Sequence, residues 1–562
     1  MKHLIIGYPG TGKTTYLANR VTTWLDDGTD PDVIGYTSFS RTAARAITDK
    51  LKTQRKWVTE YIGDEEFRRV FPYIATTHSI CARLLGLREQ NFVRSKHKHE
   101  FCKHFDIPYK PENDTEDEDI TTTSEPTDTY GNLMFEYFQR MKRLGYEDGM
   151  AARKIDSLRH MNYKEEQHIP EYVKNDLRNI FETWEAWKQS RDLFEYEDML
   201  FEVLHEEVAP QLDYFVIDEA HDVFPLQKKV FDFWIDMNRI EDVYVAIDKN
   251  QTLYEYNGAN PHVFDDYFAD PNSMKIILPK SYRLPAEILE EVKAVAKKLG
   301  DKDIEHVEPN GERGEVKEIP YEHVPDMVRK LEGSTFILFR YNRDIRQFLK
   351  ENQDLMIEKK IKGIGRTQTS WNHDSIYRLC NFKYRWLAGY EVFPYPEVLE
   401  FITRTPSKYL LRGSKKRIKE YIPKPQSKKA KKEKTQKSLF EFEEKNEAEQ
   451  ENRNERRGVP QLRLAEVRSF FKYGDIPLFR ILTDPKFKVT PLQRQIILET
   501  DEIVKKREAD VEIGTIHASK ALEAENVFLN MWEVEAWMDE KSELRVEYVG
   551  KSRSMKRLFI VS

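Results

Sequence analysis

Near its amino end the chain reads Gly7-Tyr8-Pro9-Gly10-Thr11-Gly12-Lys13-Thr14, after the apolar run Leu4-Ile5-Ile6 and before Thr15-Tyr16-Leu17-Ala18-Asn19-Arg20. Strand, glycine-rich loop and helix in that order form a phosphate-binding loop. Gly7, Gly10 and Gly12 let the backbone curl so that successive N–H groups face phosphate oxygens. The helix start adds the positive end of its dipole. Lys13 is placed to reach the β- and γ-phosphates, Thr14 to hold Mg²⁺ through its hydroxyl, and Thr11 and Thr15 to line the nucleotide. A glycine turn without a ligand is the bland alternative, and the flanking strand and helix argue against it.

A chain of 562 residues has room for roughly three or four domains. Its hydrophobic content of 39% and charged content of 33% fit a globular protein with a very polar surface. No run approaches the roughly 20 apolar residues of a membrane span, so no membrane partner is expected. Three cysteines argue against a disulfide framework and for a reducing cytoplasm. The net charge of −7 does not advertise nucleic-acid binding, which must come from local patches.

Buried-strand candidates recur between helical patterns, the order of an α/β fold. Val33-Ile34-Gly35-Tyr36 leads to Ser38-Phe39-Ser40-Arg41, where Phe39 could stack a base and Ser40 and Arg41 could hold phosphates, although by themselves these residues read more simply as a helix cap with a core aromatic. Ile74-Ala75-Thr76-Thr77-His78-Ser79 reads as another strand end with hydroxyls at its tip. His78, Cys81, His97, His99, Cys102 and His104 are spaced irregularly and lack a CxxC pair, so they read as ordinary helix residues and not as zinc ligands. Tyr214-Phe215-Val216-Ile217 ends in Asp218-Glu219, the acidic strand end that a phosphate loop calls for. There Asp218 would hold Mg²⁺ and Glu219 would orient and deprotonate the attacking water. Val243-Tyr244-Val245-Ala246-Ile247 ends near Gln251, which could sense the γ-phosphate, with Tyr256 a few residues on that could stack a base, though alone the stretch reads more simply as a turn with surface tyrosines. Further strand candidates are Met274–Leu278, Phe336–Phe339, Val511–Thr515, Val527–Leu529 and Leu558–Val561.

In order, these motifs resemble superfamily 1 helicases of the UvrD/Rep type. SFSRTAAR is similar to motif Ia, with Arg41-Thr42 in place of Asn-Lys, and ATTHS to the next DNA-contacting motif, with Thr76 and His78 as contacts. DEAHDVFPLQ matches the family's Walker B form at Asp218, Glu219, Asp222 and Gln227. QTLYEYNGA resembles motif III, with Tyr256 where a base-stacking tryptophan is common. Ser281-Tyr282-Arg283 resembles motif IV, whose tyrosine stacks on adenine and whose arginine meets the γ-phosphate. GTIHASKALEAENVF resembles motif V at Thr515, His517, Lys520 and Glu523, with Ala521 in place of a usual glycine. EYVGKSRS resembles motif VI, whose arginine matches Arg553. Asp218-Glu219-Ala220-His221 alone also fits a superfamily 2 DEAH box, but only over those four residues.

The resemblance implies an α/β fold of two RecA-like P-loop NTPase domains with parallel sheets, each carrying a mostly helical insertion. The expected first domain is 1–84 with 201–279, interrupted by a helical insertion at 85–200 that holds an acidic loop, 111–129. The expected second domain is 280–375 with 505–562, interrupted by an insertion at 376–504 that holds a basic, low-complexity segment, 415–437. Implied ligands are ATP, with Tyr282 and Glu523 as nucleotide contacts, and Mg²⁺ on Thr14 and Asp218. Lys13, Asp218, Glu219, Gln251, Arg283 and Arg553 are the implied catalytic set, the two arginines acting as fingers. The implied partners are single-stranded DNA and its junctions with duplex, met by Phe39, Ser40, Arg41, Thr76, His78, Tyr256, Thr515 and His517, with 3′→5′ movement. A translocase that remodels protein–DNA complexes without unwinding remains open, as does a P-loop phosphotransferase indifferent to DNA.

Overall fold

The structure is a computed structural model. It describes residues 1–38, 47–48, 51, 67, 69–110, 129–146, 171–365, 367, 369, 374–420, 461–472, 476–500, 511–531 and 540–562. Phe39, Ser40 and Arg41, almost all of the acidic loop and the basic segment beyond Glu420 lie outside the described residues. The chain divides into two compact units. One comprises Met1–Val324, Thr335–Asp344 and Gly514–Ser562, the other Pro325–Ser334 and Ile345–Ile513.

In the first unit, β1 (Lys2–Ile6), β2 (Ile34–Ser38), β3 (Ile74–Thr76), β4 (Tyr214–Asp218), β5 (Asp242–Ile247) and β6 (Met274–Ile277) form a sheet in the order β3-β2-β4-β5-β1-β6. Every pairing in it is parallel. Parallel sheets bury both faces, and the strands are accordingly near-continuous apolar runs. Alternation divides them. Leu4, Phe215, Ile217, Val243 and Val245 face one core with Trp234 and Leu226. Ile5, Val216, Tyr244 and Ala246 face the other with Leu17, Val21 and Trp24. Register aligns the carboxyl ends: Ile6 lies opposite Ile247 and Ser38 opposite Asp218. Loops leaving that edge therefore meet, the usual place for a ligand in such a sheet.

Helices Ser95–His104, Tyr130–Arg143 and Glu171–Gln189 pack around Phe101, Phe135, Phe138, Phe181 and Trp184, while the helix Tyr196–His205 buries Met199, Leu200 and Val203 in the core of the sheet. The Lys188 ammonium donates to Glu195 at 3.2 Å, which also accepts from the Trp184 indole at 3.1 Å, so these buried charges are paired. The same unit holds β7 (Glu315–Ile319), β8 (Thr335–Phe339), β13 (Ala524–Asn530) and β14 (Ser554–Val561), parallel in the order β7-β14-β13-β8.

The unit boundary falls inside β12 (Val511–Thr515), whose Glu512 and Ile513 pair in parallel with Lys362 and Gly363 of the short β9. In the second unit, helices Asp374–Leu387, Tyr395–Arg404 and Pro491–Glu499 enclose Phe382, Phe393, Phe401 and Ile496. Beside them β10 (Val392–Pro394) and β11 (Gln461–Arg463) form a small antiparallel pair. Cys81, Cys102 and Cys380 are buried and free. No described helix is long and apolar enough to cross a membrane.

Candidate nucleotide and nucleic-acid site

The loop after β1 closes on itself. Thr11 Oγ1 donates to the Tyr8 carbonyl at 2.8 Å, and the Lys13 ammonium donates to the Gly7 carbonyl at 2.8 Å. Lys13 opens the helix Lys13–Asp26, with Gly12 as its left-handed cap. Side chains are excluded where the loop is tightest. A Cβ on Gly7 would lie 2.2 Å from Lys13 Cγ, and one on Gly10, whose φ is +73°, would lie 2.4 Å from Arg283 Cβ. Thr14 lies one residue into the helix, and Thr15 is exposed beside it.

Asp218, at the end of β4, accepts from Thr14 Oγ1 at 3.0 Å and from the Tyr36 hydroxyl at 2.7 Å. Burial and then the neighbouring Glu219 charge push its carboxyl up, against Tyr36, Lys13 and Thr14. A hydroxyl and a carboxylate oxygen at this spacing are hard donors suited to Mg²⁺. Glu219 follows in a left-handed backbone conformation, φ +53°, with its side chain 23% exposed. Burial opposes its charge, but His221, Lys13 and Lys520 hold its carboxyl below the usual range. Asp248, at the end of β5, accepts from the Gln251 carboxamide at 2.7 Å.

Two arginines reach this cluster. The Tyr282 N–H donates to the Gly10 carbonyl at 2.8 Å and the Ser281 hydroxyl to the Pro9 carbonyl at 2.8 Å, fixing the Ser281–Arg283 turn on the phosphate loop. Arg283 Nε donates to Glu523 at 2.5 Å, and the Tyr282 ring is 73% exposed near Gly12. Arg553 is buried; it donates to the Val549 carbonyl at 3.0 Å and to Gln251 Oε1 at 3.4 Å. Burial and the Arg283 charge lower its pKa. Lys13, Thr14, Asp218, Glu219, Gln251, Arg283, Glu523 and Arg553 thus belong to one connected neighbourhood.

Of the expected DNA contacts, Tyr256 and His517 meet edge-on, with ring centroids 6.2 Å apart. Thr515, at the end of β12, accepts from the Ala518 N–H at 3.2 Å and shapes the turn that carries His517. Lys520 joins this turn to the nucleotide cluster: its ammonium donates to Asp222 and, at 2.9 Å, to the Gln251 carbonyl. Thr76 caps the helix Thr77–Leu84. His78 is buried in that helix against Tyr196, and burial lowers it to about 4. Burial, then Arg340 and Lys520, lower His517 to about 3.

Sequence reasoning gave no part to Tyr36, Asp248 or His221. Tyr36 and Asp248 carried no signal beyond their places at strand ends. His221 was visible only as one letter of DEAHD.

Residues 1–271 match the model of the UvrD/REP helicase N-terminal domain. Over those residues the chain is similar to UvrD/Rep helicases. The chain is also similar to curated proteins. It is 28% identical over 123 residues to "ATP-dependent DNA helicase UvrD2" of Mycobacterium tuberculosis, covering 20% of this chain. It is 22% identical over 294 residues to "Probable DNA helicase II homolog" of Mycoplasma genitalium, covering 50% of this chain. The matched stretches span only 17% and 38% of those relatives' own lengths.

Proposed function

We propose that the chain hydrolyses ATP to move 3′→5′ along single-stranded DNA and to open duplex at a junction. In this reading Gly7, Gly10, Thr11, Gly12, Lys13, Thr14 and Thr15 cradle the phosphates, and Tyr282 stacks on the adenine with Glu523 nearby. Mg²⁺ would be held by Thr14 and Asp218; when bound it neutralises charge on the phosphate oxygens. Glu219 orients and deprotonates the attacking water, and Gln251 senses the γ-phosphate. Arg283 and Arg553 stabilise the charge that builds on the transferring group, an effect worth roughly 10³- to 10⁵-fold in comparable systems.

The observation that carries this reading is that Arg283 packs on a phosphate loop whose Thr14 touches Asp218 at 3.0 Å, while Arg553 reaches Gln251 beside it at 3.4 Å. A small-molecule phosphotransferase has no use for paired arginines linked through Lys520 to a Tyr256–His517 ring pair. That pair, with Thr515, Thr76 and Phe39, would line the DNA track by stacking and phosphate contact. The direction rests on the resemblance to UvrD/Rep proteins. The test is strand displacement with a trap for the released strand: 3′-tailed duplexes should be opened and 5′-tailed ones should not. DNA-stimulated hydrolysis with no displacement on either substrate would leave a translocase that remodels protein–DNA complexes.

A further inference from the structure

His221 is fully buried at the turn after β4, three residues beyond Asp218. Its Nδ1 lies 3.2 Å from the backbone N–H of Asp248, at the end of the neighbouring strand. A backbone N–H only donates, so Nδ1 must carry the lone pair and the ring hydrogen sits on Nε2. Two groups face the Nε2 edge of the ring. Nε2 lies 3.1 Å from Glu219 Oε2 and 3.3 Å from the Lys520 ammonium, while the Thr252 hydroxyl donates to the His221 backbone carbonyl at 3.2 Å. An ammonium cannot accept, and Lys520 is already engaged by Asp222 and the Gln251 carbonyl. Glu219 is the acceptor for the Nε2 hydrogen.

We infer that His221 is a positioning residue for Glu219, a ring clamped by the Asp248 backbone that holds one carboxylate oxygen and turns the other toward the water to be activated. The inference rests on the ATPase reading above and adds to it the group that aims the base. Glu219 needs such a partner. It projects from a left-handed backbone position, φ +53°, with its side chain 23% exposed, and the His221 ring 3.1 Å away is the donor that meets its carboxylate. The clamp also has a sequence of causes: β5 ends at Ile247, the Asp248 N–H is free of the sheet ladder, and the imidazole takes it up. A 1 Å error in placing a catalytic group can cost on the order of 10²-fold in rate.

The experiment is steady-state ATP hydrolysis at saturating single-stranded DNA, with binding of a fluorescent ATP analogue measured separately. The variants are Glu219→Gln, His221→Leu, His221→Gln and the double variant H221L/E219Q. Glutamine offers both an acceptor for the Asp248 N–H and a donor for Glu219; leucine offers neither. Expected are a loss of about 10- to 100-fold in kcat for H221L with analogue affinity within about threefold. H221Q should stay within about threefold of wild type, and H221L should cost nothing further once Glu219 is glutamine. Wild-type kcat in H221L while E219Q is inactive would overturn the inference. So would equal loss of kcat and affinity in H221L and H221Q, which marks a merely structural ring. Wild-type turnover in E219Q would instead remove Glu219 as the base, a separate failure.

Discussion

Gly10→Ala tests how tightly the Arg283 turn is seated on the phosphate loop. An alanine Cβ at Gly10 would lie 2.4 Å from Arg283 Cβ, 2.8 Å from Ser281 Oγ and 3.1 Å from the Arg283 nitrogen. Carbon atoms rest about 3.5–4.0 Å apart, so the Arg283 backbone has to retreat by about 1 Å or more. A displacement of that size costs on the order of 10²-fold in rate. The φ of +73° adds a backbone cost of about 1–2 kcal/mol that any L side chain would bear. Gly28→Ala separates the two effects, because Gly28 has φ +93° and nothing within 4 Å of its Cβ. Both variants should lose stability in urea unfolding, G10A more by the about 1–3 kcal/mol of its clash, but only G10A should lose turnover, by about 10²-fold relative to G28A. DNA-stimulated ATPase at saturating ATP reads the difference. Turnover of G10A within threefold of G28A would refute the seating argument.

Arg283→Ala and Arg553→Ala should each keep nucleotide binding within about tenfold yet lose most DNA-stimulated turnover, since a finger acts on transition-state charge; normal turnover at saturation with ruined ATP binding would refute the roles. Ala521 is exposed at φ +67°, so Ala521→Gly should raise the urea midpoint: relief of about 1–2 kcal/mol outweighs glycine's added unfolded-state freedom of about 0.4–1 kcal/mol. A lower midpoint would show that the strain is not real. His78, lowered to about 4, and His517, lowered to about 3, bind fewer protons folded than unfolded, so their neutral burial stabilises above the ordinary value near 6.5 and that stability is lost as pH falls below it. Each should cost about 2 kcal/mol by pH 5, and unfolding curves at pH 7 and 5 that coincide would contradict this.

Local features were legible in the sequence and long-range partnerships were not. The phosphate loop and Asp218-Glu219 announce themselves because a strand, its terminal residues and the next turn are contiguous. Phe336–Phe339 and Val527–Leu529 stood out because β8 and β13 are buried on both faces. Glu315-Val316-Lys317-Glu318-Ile319 is charged at most of its positions and largely exposed, so β7 offers no buried apolar run, and β9 is only two residues long. The strand ending at Thr76 is shorter than Ile74–Ser79 suggested, because the Thr76 hydroxyl accepts from the Ser79 N–H and starts a helix there. Sequence spacing gives a residue's face but not its neighbour. Tyr196, which covers His78, comes from a distant helix, and the Asp248 N–H that orients His221 comes from another strand.

The most direct test of the central claim is ATP hydrolysis measured with and without a single-stranded DNA oligonucleotide, beside Lys13→Ala. Slow hydrolysis by the protein alone is expected, with stimulation of at least about tenfold by the oligonucleotide and near-complete loss in K13A under both conditions. Hydrolysis indifferent to single-stranded DNA, or wild-type turnover in K13A, would contradict that claim.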